Sequence, residues 1–237
     1  TSRLMPEGFQ VLIGSNEYCL QREEDIIRTF ISHRADALIL TGHTHTKVAE
    51  ELIGQYRIPT VEIWNISEHS KHICVGMSNY QAAFEMTSFL ISRGYKKIGY
   101  IGGILKNNDR SQDRMRGYRE ALEKHGRPFD PNLARESRYE FGSGAAAMQS
   151  LLTKSHGIDC VFASSDIIAF GALMECHRND IKIPQNIALA GFDNTAIGAI
   201  YKPALTTISV PRQRIGLKAA EITLQLINGE DDIQKLN

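Results

Sequence analysis

Two short apolar runs in the second half of the chain each lead into polar residues that could bind a small molecule. Ser165 and Asp166 follow the run at 160–163, and Asp193 follows the run at 187–190. Such runs are typical of buried strands, and ligands bind at the carboxyl ends of strands in open α/β sheets. A carboxylate at Asp193 could accept hydrogen bonds from two neighbouring hydroxyls of a polyol, or it could form a turn. Asp166 is more typical of a helix N-cap than of a ligand contact.

Two histidines, at positions 43 and 45, have the His-x-His spacing of metal ligands. No cluster of Cys, Asp or Glu accompanies His43 and His45 in the sequence, so we predict no metal site. An imidazole past the end of a strand could instead contact an anionic ligand. The sequence has no nucleophile–base pair, phosphate loop or redox motif, and Gly102-Gly103 lacks the third glycine of a dinucleotide fingerprint. We therefore expect neither catalysis nor a cofactor.

The elements that must position these residues alternate along the chain. Strands are predicted at 9–13, 37–40, 60–64, 73–77, 98–101, 138–141, 160–163, 187–190 and 206–210. Helices are predicted at 17–33, 47–56, 79–93, 110–125, 143–153, 167–178 and 211–228. This alternation implies right-handed crossovers and a mainly parallel sheet, which is an α/β fold.

The alternating series is interrupted near Gly94, which predicts two lobes with a cleft between them. We assign residues 1–94 and 210–228 to an N-terminal lobe, and residues 95–209 and 229–237 to a C-terminal lobe. The first residues resemble the tail of a helix with no strand before it, and the last follow a helix with no closing strand. We therefore expect this sequence to be part of a longer protein.

The composition restricts the class of protein further. The 27 basic and 27 acidic side chains give no net charge, which argues against a nucleic-acid-binding surface in this chain. No apolar run approaches the roughly 20 residues of a membrane span, so we predict no membrane partner. The four cysteines are scattered without metal-type spacing, and we expect free thiols in a cytoplasmic protein.

Several motifs, taken in order and together, resemble the effector-binding domain of the LacI/GalR family of bacterial transcription repressors. They are RADALIL at 34–40, SRGYKKI at 92–98, RMRGY at 114–118, SSD at 164–166, IP at 183–184, AGFDN at 190–194 and PALTTI at 203–208. A closer resemblance is to the gluconate-utilisation repressors. It is carried by Thr44-His45-Thr46, by Glu175-Cys176 with Arg178, and by Pro211-Arg212 with Gly216.

The resemblance implies a two-lobed, periplasmic-binding-protein-like (type I) fold, each lobe a mainly parallel sheet flanked by helices. A sugar or sugar acid such as gluconate would enter the cleft between the lobes, change their relative orientation and so modulate operator binding. Members of the family bind operator DNA as homodimers through an N-terminal helix-turn-helix, which this chain lacks. Relatives pair through faces that include the helix around Ala172, Leu173 and Cys176, and the segment near Ile200 and Tyr201. The alternative is a periplasmic or extracellular sugar-binding protein of a transporter, against which four unpaired cysteines count.

The resemblance also implies which residues contact the ligand: Arg114, Asp193, Ser165, Tyr139, Gln81, Phe192 and His45. Relatives place an arginine in the cleft at the position of Arg114, where a guanidinium fork can hold a carboxylate or vicinal hydroxyls. Ser165 stands where many relatives carry asparagine. Tyr139 aligns with an aromatic residue that stacks on sugar rings, and Phe192 either lines the cleft or packs beneath it.

Overall fold

The computed structural model describes residues 2–230. Its strands are β1 Leu38–Thr41, β2 Thr60–Asn65, β3 Ile73–Met77, β4 Ile98–Gly103, β5 Ala134–Ser137, β6 Cys160–Ala163, β7 Ala188–Asp193 and β8 Thr206–Ser209. Its helices are α1 Leu20–Ser32, α2 Lys47–Tyr56, α3 Asn79–Ser92, α4 Asp109–Lys124, α5 Phe141–Lys154, α6 Asp166–Arg178, α7 Ala196–Ile200 and α8 Arg212–Ile227. Within the described residues, every helix is too short or too polar to cross a membrane.

The described residues divide into two compact units, one comprising 2–78, 107–109 and 211–230 and the other 79–106 and 110–210. The unit boundaries differ from the predicted lobes in the stretch 79–94 and at residue 210, which belong to the second unit, and at 107–109, which belong to the first. Helix α3 lies in the second unit because it packs on α4, with the Tyr80 hydroxyl donating a 2.7 Å hydrogen bond to Glu120. Of the tail predicted for the second lobe, residues 229–230 belong to the first unit, and 231–237 lie outside the described residues.

The first unit contains a three-stranded parallel sheet in the order β1-β2-β3. Helices α1 and α2 cover β1 with a small core formed by Ile27, Leu38, Leu40, Ala49 and Ile53. Helix α2 begins after Thr46, whose hydroxyl accepts from the Ala49 amide as an N-cap. This cap fixes the loop between β1 and α2, which carries His43 and His45.

The second unit contains a five-stranded parallel sheet in the order β5-β4-β6-β7-β8. Strands β4 and β6 are buried along their whole length, as expected for central parallel strands covered on both faces. The core between this sheet and helices α5 and α6 includes Ile101, Met148, Val161 and Ile168. The carboxyl ends of β4, β6 and β7 consequently lie side by side at one edge of the sheet.

Two predicted strands are wrong. Residues 9–13 form no strand, and Ile13 is 87% exposed, because no described strand pairs with this segment and a strand needs a hydrogen-bonding partner. Residues 138–141 form no strand either, because β5 lies at Ala134–Ser137 and helix α5 already begins at Phe141. The short helix α7 has no counterpart in the sequence prediction.

Helix α6 corrects one further prediction. Ser165 occupies the N-cap position, and Asp166 is the first residue of the helix rather than its cap. Ala172, Leu173 and Cys176 are buried in the core of their own unit, so only exposed neighbours on this helix could contribute to the predicted subunit face. The exposed apolar side chains in this region are those of Ile167, Met174, Ile197 and Ile200.

Candidate functional site

Arg114 is held in a fixed orientation although it is charged and only 9% exposed. Its Nε donates a 2.8 Å hydrogen bond to Oδ1 of Asn79, and its Nη1 donates a 2.6 Å bond to the backbone oxygen of Ser164. The guanidinium also lies 3.8 Å from the centroid of the Phe192 ring, a cation–π contact. These two hydrogen bonds use two of the five N–H groups of the guanidinium.

The close packing of α3 on α4 brings Asn79 beside Arg114. Gly117, one turn after Arg114 on α4, allows this packing because a Cβ there would overlap the backbone oxygen of Tyr80 on α3. Asn79 is the first residue of α3 and is almost completely buried. A glycine in the helix interior is therefore used for close approach of two backbones.

Strand β7 ends in Phe192 and Asp193, which carry the second part of the site. Asp193 has a φ of 118°, a conformation that a non-glycine residue rarely adopts and that is common at functional sites. Its Oδ2 accepts a 3.0 Å hydrogen bond from the hydroxyl of Ser165, at the carboxyl end of β6. Phe192 is fully buried, and its ring packs against the guanidinium of Arg114.

Tyr139 forms the third part. Its hydroxyl lies 2.9 Å from Oγ of Ser111, a buried residue one turn before Arg114 on α4. Gly103, at the end of β4, makes room for this pair, since a Cβ there would overlap the Tyr139 hydroxyl and lie 2.5 Å from Ser111 Oγ. The hydroxyl pair therefore lies at the carboxyl-terminal ends of the strands, next to Ser164 and Ser165.

Asp166 has a structural role. Its buried carboxylate accepts hydrogen bonds from the amide (2.6 Å) and hydroxyl (2.8 Å) of Thr195, and from the hydroxyl of Thr207 (2.6 Å). These bonds join the start of α6 to the loop after β7 and to β8. These hydrogen bonds position the segment that follows Asp193 and occupy the Asp166 carboxylate, so we do not propose Asp166 as a ligand contact.

The second unit thus brings together Arg114, Phe192, Asp193 and Ser165, with Tyr139 and Ser111 along the same strand edge. Gln81 is exposed on α3, where its amide donates a 2.8 Å hydrogen bond to Glu85. Chemically, the group offers a cation that can hold a carboxylate and several oxygens that can exchange hydrogen bonds with hydroxyls. Such a set suits recognition of a polar, acidic small molecule.

His45 lies in the first unit in surroundings that the sequence did not reveal. Its imidazole is fully buried, with Nδ1 2.5 Å from Oε1 of Glu23 and Nε2 3.5 Å from Oε1 of Glu62. Burial lowers the pKa of His45, but the hydrogen bond to Glu23 and the negative charges of Glu23 and Glu62 outweigh it and raise the pKa to about 10. The carboxylates of Glu23 and Glu62 flank the His45 imidazole, and this negative surrounding does not favour contact with an anionic effector.

Several buried polar residues were missed by reasoning from sequence: Glu23, Glu62, Asn65, Asn79 and Asp109. One signal was available for Glu62, which stands between the apolar residues Val61 and Ile63 in strand β2. Asn65 donates a 2.9 Å hydrogen bond to Asp109 in the described structure. Asn79 gave no such signal, since an asparagine that begins a helix is ordinarily a cap.

Comparison with known proteins places this arrangement in a family. Residues 87–236 match the family model of the periplasmic binding protein-like domain. The HTH-type transcriptional regulator GntR of Pseudomonas aeruginosa is 36% identical over 232 residues, which cover 96% of this chain and 66% of that protein. This chain therefore spans about two thirds of the length of that curated relative.

Solved structures agree with the sequence comparison. The transcription regulator GntR from Chromobacterium violaceum matches with a TM-score of 0.91 and 32% identity, over 99% of this chain and 86% of that chain. A LacI family transcriptional regulator from Silicibacter pomeroyi matches with a TM-score of 0.89 and 30% identity, over 97% and 86%. The predicted fold class is confirmed, and the chain belongs to the LacI family of transcriptional regulators, of which it is an effector-binding domain with a periplasmic-binding-protein-like fold.

Proposed function

We propose that this domain senses a sugar acid of the gluconate type and that Arg114 holds the carboxylate of that effector. The observation that carries the proposal is the fixed orientation of a buried guanidinium by Asn79, Ser164 and Phe192. An arginine held in place before binding loses little side-chain entropy when it pairs with a carboxylate. This arrangement favours an anionic effector over a neutral sugar.

The neighbouring oxygens suit the rest of such a molecule. The carboxylate of Asp193, oriented by Ser165, can accept hydrogen bonds from two adjacent hydroxyls of a polyol. The hydroxyl pair of Tyr139 and Ser111 can both donate and accept. Because the guanidinium of Arg114 covers one face of the Phe192 ring, that face cannot stack on a sugar ring, which supports an open-chain acid.

The remaining parts of the proposal rest on the family resemblance. The effector would enter the cleft predicted between the lobes, and the intact protein would bind operator DNA as a homodimer through a segment outside this chain. The exposed apolar residues Ile167, Met174, Ile197 and Ile200 on α6 and α7 are the candidates for subunit pairing. Gln81 stays a predicted effector contact. The transporter alternative is not favoured, because the matched relatives are transcriptional regulators.

Calorimetric titration tests the effector assignment. Gluconate and glucose are titrated separately into the purified chain and into the Asp193→Asn variant. We expect gluconate to bind more tightly than glucose, and the variant to bind gluconate more weakly because an amide oxygen accepts hydrogen bonds less strongly than a carboxylate. Tighter binding of glucose would overturn the sugar-acid assignment, and unchanged binding by the variant would remove Asp193 from the site.

A further inference from the structure

A second constellation of charged side chains lies in the first unit, outside the effector site. Its members come from three different elements and one loop: Glu50 from α2, Glu62 from β2, Glu23 from α1, and His45 from the loop after β1. His45, Glu50 and Glu62 each offer one nitrogen or oxygen atom, and these three atoms lie within 4.8 Å of one another. Three potential ligands of a metal ion are therefore gathered at one point, two of them on side chains that are almost completely buried.

The imidazole of His45 is oriented as in many metal sites. Its Nδ1 is hydrogen-bonded to Glu23, so its Nε2 is directed toward Glu62. Nε2 is fully buried and has no hydrogen-bond partner among the described residues. An unsatisfied polar atom in the interior costs on the order of 1–3 kcal/mol, so such atoms usually have an occupant. A histidine that gives one nitrogen to a carboxylate and the other to a metal is a common arrangement in metal centres.

Glu62 is oriented in the same manner. Its Oε2 accepts hydrogen bonds from the hydroxyl of Ser70 at 2.7 Å and from the thiol of Cys74 at 3.2 Å. These bonds present the other oxygen, Oε1, toward Nε2 of His45 at 3.5 Å. Ligating carboxylates are typically fixed by hydrogen bonds of this kind to the oxygen that does not face the metal.

We propose that His45, Glu50 and Glu62 form a binding site for a divalent transition-metal ion, for which Zn²⁺ is the best-fitting probe. Metal binding at Nε2 of His45 requires that nitrogen to release its proton, and the carboxylates of Glu23, Glu50 and Glu62 would then surround the cation with compensating negative charge. With metal–ligand bonds of about 2.0–2.2 Å, neighbouring ligand atoms in a tetrahedral site are about 3.3–3.6 Å apart. The 3.5 Å separation of His45 Nε2 and Glu62 Oε1 already has this value.

Glu50 completes the set from the more accessible side. It is half-buried on α2, so rotation of its side chain can shorten its distance to the other two ligands. Nε2 of His72 lies 3.4 Å from Oε2 of Glu50 and is a second buried imidazole nitrogen for which the described part of the chain supplies no hydrogen bond. Lys71 lies at the same distance from that oxygen. His72 and Lys71 would position Glu50, and the fourth metal position would be filled by water.

A protonated His45 would satisfy the same carboxylates without a metal, so the experiment must separate the two cases. The metal-stripped chain is titrated with Zn²⁺ in competition with a chromophoric chelator. We expect one Zn²⁺ per chain, with a large loss of affinity in His45→Gln and in Glu50→Gln. The matched controls are His69→Gln and Glu68→Gln, two exposed residues of the same types, which should bind Zn²⁺ as the unmodified chain does.

Two further measurements keep the test decisive. Glu23→Gln removes only the partner of His45 Nδ1 and should lower Zn²⁺ affinity about 10–100-fold, because partners of metal ligands have effects of this size. X-ray absorption of the Zn²⁺-loaded chain should show nitrogen and oxygen neighbours and no sulfur. Circular dichroism verifies that each variant is folded. If His45→Gln does not fold, Glu50→Gln still tests the site, because Glu50 is only half-buried. Absence of tight binding, equal affinity in Glu50→Gln and the controls, or a zinc–sulfur shell would each overturn the proposal.

Discussion

Replacement of Arg114 by methionine tests the central feature of the effector site. Methionine keeps an unbranched stem of similar length but removes the guanidinium. Asn79 Oδ1 and the Ser164 oxygen then each lose a donor, and the ring of Phe192 loses its cation. The interactions around Arg114 therefore predict effects on both stability and binding.

The two effects have separate magnitudes. A buried acceptor left without a donor costs about 1–3 kcal/mol, and removal of a buried charge offsets part of this, so we expect a stability loss of about 2–4 kcal/mol. Loss of a buried charge-assisted bond to the effector should cost about 2–5 kcal/mol of binding free energy. At about 1.4 kcal/mol per factor of ten, this corresponds to gluconate affinity reduced about 30-fold to several thousand-fold.

Urea denaturation measures the first effect, and calorimetric titration with gluconate measures the second. Arg116→Met is the matched control, because Arg116 lies on the same helix but is exposed, and it contacts Asp113 and the Tyr80 ring. If Arg114→Met does not fold, Arg114→Lys replaces it in the experiment, because lysine retains the positive charge. Stability of Arg114→Met equal to that of the control would refute the reasoning about the buried hydrogen bonds. Unchanged gluconate affinity in a folded Arg114 variant would refute its role as the carboxylate ligand.

Three other predictions concern packing and thiol exposure. Gly103→Ala should weaken gluconate binding and lower the thermal midpoint, because the new methyl group would displace the Tyr139 hydroxyl; calorimetry and thermal denaturation measure both. Gly142→Ala should raise the free energy of unfolding by about 0.5–1 kcal/mol, since its Cβ meets no atom within 4 Å and alanine favours the helix; a loss of stability would contradict this. Cys19 should react with a thiol reagent at pH 8 far faster than Cys176, because Cys19 is exposed whereas burial raises the pKa of Cys176 to about 12; mass spectrometry of the labelled chain identifies the order.

The parts of the fold that were predicted well are those whose signals are local. Helix α2 and strand β3 have their predicted bounds. For α2, Thr46 supplies an N-cap, and its buried residues Ala49 and Ile53 are spaced for one face of a helix. The two wrong strands, at 9–13 and 138–141, depended on partners elsewhere in the chain. Apolar residues alone do not determine whether a neighbouring strand is available to pair with them.

The effector site divides in the same way. Arg114, Ser165 and Asp193 were predicted as ligand contacts because they stand in motifs that resemble those of the family, and they remain proposed contacts. Asn79 was missed as the partner of Arg114, since 35 residues separate them and only the packing of α3 on α4 brings them together. Likewise His45 was predicted as an anion contact because it follows the end of a strand, and the sequence does not show that its side chain meets those of Glu23 and Glu62.

The left-handed backbone of Asp193 sets folding stability against response to the effector, two properties that protein engineers often try to improve together. A non-glycine residue at such a φ costs on the order of 1–3 kcal/mol, which glycine would not incur. Laboratory evolution that rewards only heat resistance should therefore admit glycine at position 193, whereas evolution that also rewards a response to the effector should retain the aspartate. Comparing the two selected populations at this codon would show directly how much folding stability this sensor gives up for recognition.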